Sequence, residues 1–170
     1  AGSSRPASGS EHHLSHFFEI TGISNGEDYF PHGIDVAYST VITAMLREKL
    51  LQQTWPDVQY RPDRISYAAE VSRIYGPVAE GCIALQDRVG RYQKDMLSVY
   101  KAKEQEIRNV LAEMPAAGDV QKMLEAVGLE MNAFGKMYAS EKIRDAIAYA
   151  KELKDRYTVL WMYYDLFGGQ

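Results

Sequence analysis

The stretch HGIDVAYSTVITAMLREKLL, residues 32–51, decides the fold class of this chain. Its apolar side chains recur every three or four residues, which is the period of an α-helix, and they cover more than one side of that helix. They are Val36, Ala37, Val41, Ile42, Met45, Leu46 and Leu50. Such a wide apolar surface predicts a helix that is buried on most sides. We therefore expect this helix to form the core of the domain.

The helical period continues on both sides of this segment, whereas alternating β-branched runs are scarce. Turn residues predict loops between Gly22 and Pro31 and between Pro56 and Pro62. The pattern predicts further helices over 10–20, 63–74, 78–114 with a bend at Gly90, 119–127, 140–151 and 155–167. The charged stretch 101–108 within them is interpreted as an exposed helical face. The sequence thus predicts an all-α fold, a helical bundle.

Composition restricts the class of protein further. The chain has 170 residues, 46% of them hydrophobic and 25% charged, which suits one globular domain over 1–170. A net charge of −4 offers no overall positive field for nucleic acid or an anionic membrane, and no apolar run is long enough to cross a bilayer. A lone cysteine, Cys82, cannot form an internal disulfide, so a cytoplasmic location is expected. The helical pattern leaves open whether the chain forms a homo-oligomer.

All four histidines lie between positions 12 and 32. His12 and His16 are one helical turn apart, which places their rings about 6 Å from each other on one face, while His13 points elsewhere. His32 begins the next predicted helix after a loop long enough to bring its ring beside that pair. Neutral imidazole is a common ligand of zinc, nickel and iron, although the same spacing also occurs among ordinary surface and core histidines. A zincin site is disfavoured because His13, rather than glutamate, follows His12.

Two segments carry a resemblance to a known family. The string SRPASGSEHHLSH at 4–16, followed by His32-Gly33, looks like the metal-binding core of sn-glycerol-1-phosphate dehydrogenases. These enzymes belong to the superfamily of iron-containing alcohol dehydrogenases, glycerol dehydrogenases and dehydroquinate synthases. The string DRYTVL at 155–160 resembles a segment near the end of these enzymes, although Lys154 stands where the family often has arginine. The resemblance implies the C-terminal helical domain of that superfamily.

The resemblance also implies roles for individual residues. His12 and His32 match the metal ligands, and His16 matches a histidine near the substrate and the nicotinamide, a catalytic position. Arg5 lies at an offset similar to that of an arginine with which dehydroquinate synthases contact their substrate, so it is the candidate for binding a substrate phosphate. The family's third ligand is an acidic residue upstream of this stretch. That ligand and the N-terminal nucleotide-binding domain are expected to lie outside this chain, which alone should be inactive.

The implied reaction is the NAD(P)H-dependent interconversion of dihydroxyacetone phosphate and sn-glycerol 1-phosphate, a step of phospholipid metabolism. It would require one divalent metal, which is zinc, nickel or iron, and NAD(P)H bound by the missing domain. Three alternatives remain open. The chain resembles a glycerol or polyol dehydrogenase of the same superfamily in the same residues, and it also suits a stand-alone helical binding module without activity. The third alternative, a metal-dependent hydrolase, is disfavoured because the sequence lacks a well-placed carboxylate that could act as the base.

Overall fold

The computed structural model describes residues 9–169, and within that range the chain is all-α, with no strand. The helices are α1 (Ser10–Asn25), α2 (His32–Gln52), α3 (Arg64–Tyr75), α4 (Ala79–Val89), α5 (Leu97–Ala102), α6 (Glu104–Ala112), α7 (Ala117–Ala126), α8 (Met131–Met137), α9 (Ser140–Tyr149) and α10 (Val159–Phe167). Short 3₁₀ turns cover Gly76–Val78, Arg91–Gln93 and Ala150–Leu153. The all-α fold predicted from the helical period is confirmed. No helix in the described range is both long and apolar enough to span a bilayer.

The packing of α1 along α2 forms the centre of the molecule. Leu14, Phe17 and Phe18 of α1 are no more than 1% exposed, and they join Leu46 and Leu50 of α2 in one hydrophobic core. Removing such apolar side chains from water is the main free-energy gain of folding. The apolar side of α1 is therefore fixed against the core, and its opposite side is left for the histidines.

The 3₁₀ turn Ala150–Leu153 packs against α1 from another direction and carries a buried ion pair. Lys151 and Glu152 are both fully buried, and the Lys151 ammonium contacts the Glu152 carboxylate. The hydroxyl groups of Tyr67 and Tyr92 donate to the same carboxylate. The Lys151 ammonium also lies 3.5 Å from the centre of the Tyr164 ring. Every charge in this network has a partner, which is the condition under which buried charges are tolerated.

The first helix is longer than its sequence predicts. Gly22 was expected to end it, but α1 continues to Asn25, and Gly26 ends it with a left-handed backbone at φ 66°. Gly22 has a different use, because a Cβ atom at this position would lie 2.6 Å from Cδ1 of Tyr29. The glycine therefore permits the loop after α1 to fold back closely against the helix.

The predicted helix over 78–114 is wrong as a single element. Gly90 adopts a left-handed backbone at φ 68° and ends α4, and α5 and α6 follow as separate short helices. The interpretation of 101–108 as an exposed face fails at Arg108. Its guanidinium donates to the backbone carbonyls of Leu50, Leu51 and Gln53 and lies 4.5 Å from the centre of the Trp55 ring. Arg108 thus satisfies the carbonyls left unpaired at the end of α2.

The buried ion pair yields a test of what stabilises the fold. Lys151→Met should lower the free energy of unfolding by about 3–5 kcal/mol, because it leaves the buried Glu152 carboxylate without its cation. The double variant Lys151→Met, Glu152→Gln should recover part of that loss. Urea unfolding measures both, with the exposed Lys136→Met as a control expected to change stability by about 0.5 kcal/mol or less. If the double variant is less stable than Lys151→Met alone, the two side chains are not coupled in this way.

Candidate metal centre

Three histidine rings meet where α1 crosses the start of α2. The ring of His32 lies 5.5 Å from that of His12 and 5.0 Å from that of His16, measured between ring centres. His12 and His16 share a face of α1, and the loop between the helices returns His32 to that face. The structure therefore brings together the three histidines that the sequence singles out. His13 points away from them and is fully buried.

The Nδ1 atoms of two of these rings already have partners. The Ser15 hydroxyl donates to the backbone carbonyl of His32 at 3.3 Å and lies 3.1 Å from Nδ1 of the His32 ring. Because the hydroxyl has one hydrogen, Nδ1 must donate to it, which leaves the lone pair of the neutral ring on Nε2. Nδ1 of His12 is likewise 3.1 Å from the Glu11 carboxylate, which can only accept when ionised. Such partners hold metal-binding imidazoles in the required tautomer.

Glu19 is the acidic residue of this cluster. Its Oε2 atom lies 3.6 Å from Nδ1 of His16 and 3.9 Å from Nδ1 of His32. One ligand atom from each of His16, Glu19 and His32 falls within 4.8 Å of the other two. Two imidazoles and a carboxylate form a donor set that suits zinc, nickel or iron. These three residues fit a divalent metal, and His12, which the sequence predicts as a ligand, is not one of them.

The resemblance implies an acidic ligand upstream of His12, whereas the acidic residue that lies beside these rings is Glu19, which the sequence analysis did not single out. The signal was available, because Glu19 follows His16 by three residues, and this spacing places two side chains on the same helical face. Glu11 directly precedes His12 in the first turn of α1. The structure shows it in contact with His12 while it also accepts from the backbone N–H of Gly9 at 3.1 Å. Arg5, the candidate for binding phosphate, lies outside the described residues.

Burial and nearby cations keep His13 and His16 in the neutral form. Burial lowers the pKa of His16, and the positive charge of Lys154 lowers it further. The same two causes, together with the charge of Arg156, lower the pKa of His13 to about 4. A neutral imidazole is the form that binds a metal or accepts a proton, so His16 is in a usable state at neutral pH.

A buried carboxyl group supports the start of α2 from beneath. Asp35 lies one turn after His32, is fully buried, and accepts from the Tyr138 hydroxyl at 2.9 Å. That hydroxyl in turn accepts from the backbone N–H of Phe30 at 3.1 Å. Tyr138, which lies between α8 and α9, therefore connects the loop before α2 to α2 itself. Burial raises the pKa of Asp35 to about 7, and the negative charge of Glu19 contributes to the rise.

These features define a class of protein: an all-α domain in which two consecutive helices build a candidate divalent-metal centre. The particular relatives are glycerol-1-phosphate dehydrogenases that use NAD(P)+. The chain is 25% identical to that of Halalkalibacterium halodurans over 160 residues and 25% identical to that of Bacillus licheniformis over 157 residues, covering 94% and 92% of this chain. It is 39% identical over 84 residues, 42% of this chain, to that of Korarchaeum cryptofilum. The resemblance stated from the motifs is thereby confirmed.

The chain spans 27 to 32% of the length of these curated relatives. No family model matches it. No solved structure matches it either. The similarity therefore extends along nearly all of this chain but concerns less than a third of each relative.

The buried Asp35 predicts a defined pH dependence. Its folded pKa of about 7 exceeds the ordinary value of 3.8, so its contribution to stability is fully present below pH 3.8 and is lost as pH rises to about 7. Asp35→Asn removes this slope of up to about 1.4 kcal/mol per pH unit. The free energy of unfolding of the variant relative to wild type should therefore rise across that window, as measured by urea unfolding at several pH values.

The difference between variant and wild type is needed because the lowered pKa of His13 has the opposite effect over part of that window. Asp28→Asn, at an exposed position in the loop before α2, is the matched control and should give a flat difference. A flat difference for Asp35→Asn as well would show that this carboxyl group ionises normally in the folded protein.

The metal centre can be tested on the chain as it stands. Calorimetric titration with zinc or nickel should show binding that His32→Ala and His12→Ala each weaken by about tenfold or more, because each removes a nitrogen donor. Glu19→Gln should weaken binding if its carboxylate is a ligand, and Glu141→Gln on the exposed surface of α9 is its control. Unchanged binding in the double variant His12→Ala, His32→Ala would exclude these two residues as ligands.

Proposed function

We propose that this chain is the metal- and substrate-binding domain of an NAD(P)-dependent glycerol-1-phosphate dehydrogenase, which interconverts dihydroxyacetone phosphate and sn-glycerol 1-phosphate. One observation carries this proposal: the rings of His12, His16 and His32 converge in a chain whose similarity to such enzymes covers 94% of its length. Fold alone would not support an activity, but a donor set at the positions marked by the family motif does.

His12 and His32 are the proposed metal ligands, each through Nε2. Their Nδ1 atoms are engaged by Glu11 and by Ser15, which fixes the orientation of both rings before a metal binds. Glu19 lies 3.9 Å from Nδ1 of His32, on the edge of the ring opposite the proposed ligand atom. A divalent ion in this position, whether zinc, nickel or iron, supplies Lewis-acid stabilisation of the charge that develops on the substrate oxygen.

His16 is the proposed catalytic histidine. Its ring lies at the edge of the cluster, partly exposed, and the lowered pKa keeps it neutral. A neutral imidazole beside the reacting oxygen can accept or donate a proton as the hydroxyl and carbonyl forms interconvert. Glu19, at 3.6 Å from Nδ1, orients this ring and stabilises its protonated form.

The reaction also needs a bound nicotinamide and a site for the substrate phosphate. The nicotinamide is held by a nucleotide-binding domain, because the described residues contain none of the strands from which a dinucleotide-binding fold is built. The 170-residue chain is then a single α-helical domain and is inactive by itself. Arg5 contributes to binding the substrate phosphate, and the enzyme acts in the cytoplasm in phospholipid metabolism.

Ligand binding by the metal-loaded chain tests this function. sn-Glycerol 1-phosphate should bind in the presence of zinc or nickel, and glycerol should bind at least about tenfold more weakly because it lacks the charged group. Isothermal titration measures both, and His32→Ala should abolish the metal-dependent part of the affinity. Equal binding of glycerol and glycerol 1-phosphate would favour a dehydrogenase of neutral polyols. Absence of any metal-dependent binding would contradict the proposal.

A further inference from the structure

A second group of polar side chains lies beside the histidine cluster, and the described residues give several of them no partner. His13 is fully buried, and both of its ring nitrogens lack a hydrogen-bond partner. The same holds for Nε and Nη1 of Arg156, which are shielded from solvent, and for the hydroxyl of Thr158. Buried donors are nearly always paired in folded proteins, so an unpaired set of this kind calls for a ligand.

The backbone that carries these side chains is firmly held. The Gln86 amide donates to the backbone carbonyls of Glu152 at 3.0 Å and Lys154 at 3.2 Å. The Arg91 guanidinium donates to the carbonyl of Asp155 at 2.8 Å and lies 5.5 Å from the centre of the Tyr157 ring. The segment 152–157 is thus fixed by side chains from α4 and the following turn. The unpaired state of Arg156 is therefore a property of an ordered segment.

The segment is close to α1 and carries positive charge. The 3₁₀ turn that precedes it packs against α1. The positive charge of Lys154 lowers the pKa of His13 and of His16. The positive charge of Arg156 contributes to lowering the pKa of Lys154 itself. Glu11 is the carboxylate that opposes these cations at His13. Among the described residues no ion pair joins Arg156 to a carboxylate. Lys154 and Arg156 are therefore close enough to α1 for their charges to act on His13, and the charge of Lys154 also acts on His16.

We propose that His13, Lys154, Arg156 and Thr158 form a binding site for a phosphate monoester dianion adjacent to the metal centre. The chemistry matches in kind. A guanidinium presents parallel N–H donors to two phosphate oxygens, an ammonium neutralises charge, and a neutral imidazole and a hydroxyl supply one further hydrogen each. The N-terminus of α10, capped by Thr158 without a side-chain hydrogen bond, adds backbone N–H groups of favourable polarity.

This site deepens the proposed function and rests on it for the identity of the organic part of the ligand. Because the charge of Lys154 acts on both His13 and His16, we expect the organic part of a ligand with its phosphate at Arg156 to lie on the side of His16. The phosphate site then selects phosphorylated substrates over glycerol, which is the distinction between the two dehydrogenase classes left open by the sequence.

The test uses inorganic phosphate and the metal-free 170-residue chain. Isothermal titration at constant ionic strength should detect phosphate binding, and Arg156→Gln should weaken it by about tenfold or more through loss of a charge-assisted hydrogen bond. Arg88→Gln removes an exposed arginine from α4 and should leave the affinity unchanged. Equal weakening by Arg156→Gln and Arg88→Gln would mean that phosphate responds only to net charge, and no binding to the wild-type chain would overturn the site.

Two further measurements separate this site from loss of folding and from the metal centre. Thr158→Val keeps the shape of the side chain and removes its hydroxyl, so it should weaken phosphate binding while the thermal unfolding curve stays in place. Arg156→Gln should leave zinc binding intact. If zinc and glycerol 1-phosphate bind the wild-type chain as proposed but Arg156→Gln does not affect either phosphate ligand, this inference fails and the proposed function stands. If phosphate binds at Arg156 but zinc does not bind, the proposed function fails instead.

Discussion

The contact of α1 with α2 is the constraint on which both the fold and the site depend. On one side of α1, Leu14, Phe17 and Phe18 are buried in the core, and this burial fixes the rotation of the helix about its axis. Ser15, also fully buried, lies between the two helices and joins the ring and the backbone of His32. Because a helix has 3.6 residues per turn, fixing one face also fixes the other. The positions of His12 and His16 relative to His32 therefore follow from hydrophobic packing rather than from attraction among the histidines.

The same helix meets a second, polar support. The buried pair Lys151 and Glu152 sits in the turn that packs on α1, and the tyrosine hydroxyls around it leave no charge without a partner. A fully paired network of this kind has one well-defined arrangement, since any displacement would leave a buried charge unsatisfied. The turn leads directly into the segment with Lys154 and Arg156. Rigid support at residues 151 and 152 thus determines where the two cations stand relative to α1.

The sequence predicts the helices that are long or strongly amphipathic and fails where tertiary contacts decide. The apolar pattern after His32 identifies α2, and the helix predicted over 63–74 is α3, which Asp63 caps by accepting from the N–H groups of Ile65 and Ser66. The sequence predicts only a bend at Gly90, but this glycine has a left-handed backbone and ends the helix. A glycine with helical backbone angles would only have weakened it. Arg108 could not be anticipated, since its partners at the end of α2 are 55 to 58 positions away.

The candidate site shows the same division. Local spacing indicates the pair His12 and His16 and, in hindsight, Glu19 on the same face. The polar atoms of His13, Arg156 and Thr158 that are buried without a hydrogen-bond partner could not be predicted from the sequence. Only the folded structure shows which buried groups lack a partner. Both kinds of charge occur in this region: Glu11 and Glu19 contact the rings of the histidine cluster, while Lys154 and Arg156 belong to the segment that follows the 3₁₀ turn. The carboxylates favour a cation at the rings, and the two cations favour an anion beside them. A small molecule with a phosphate at one end and a hydroxyl at the other complements this arrangement, whereas a neutral polyol would leave the Arg156 donors unpaired.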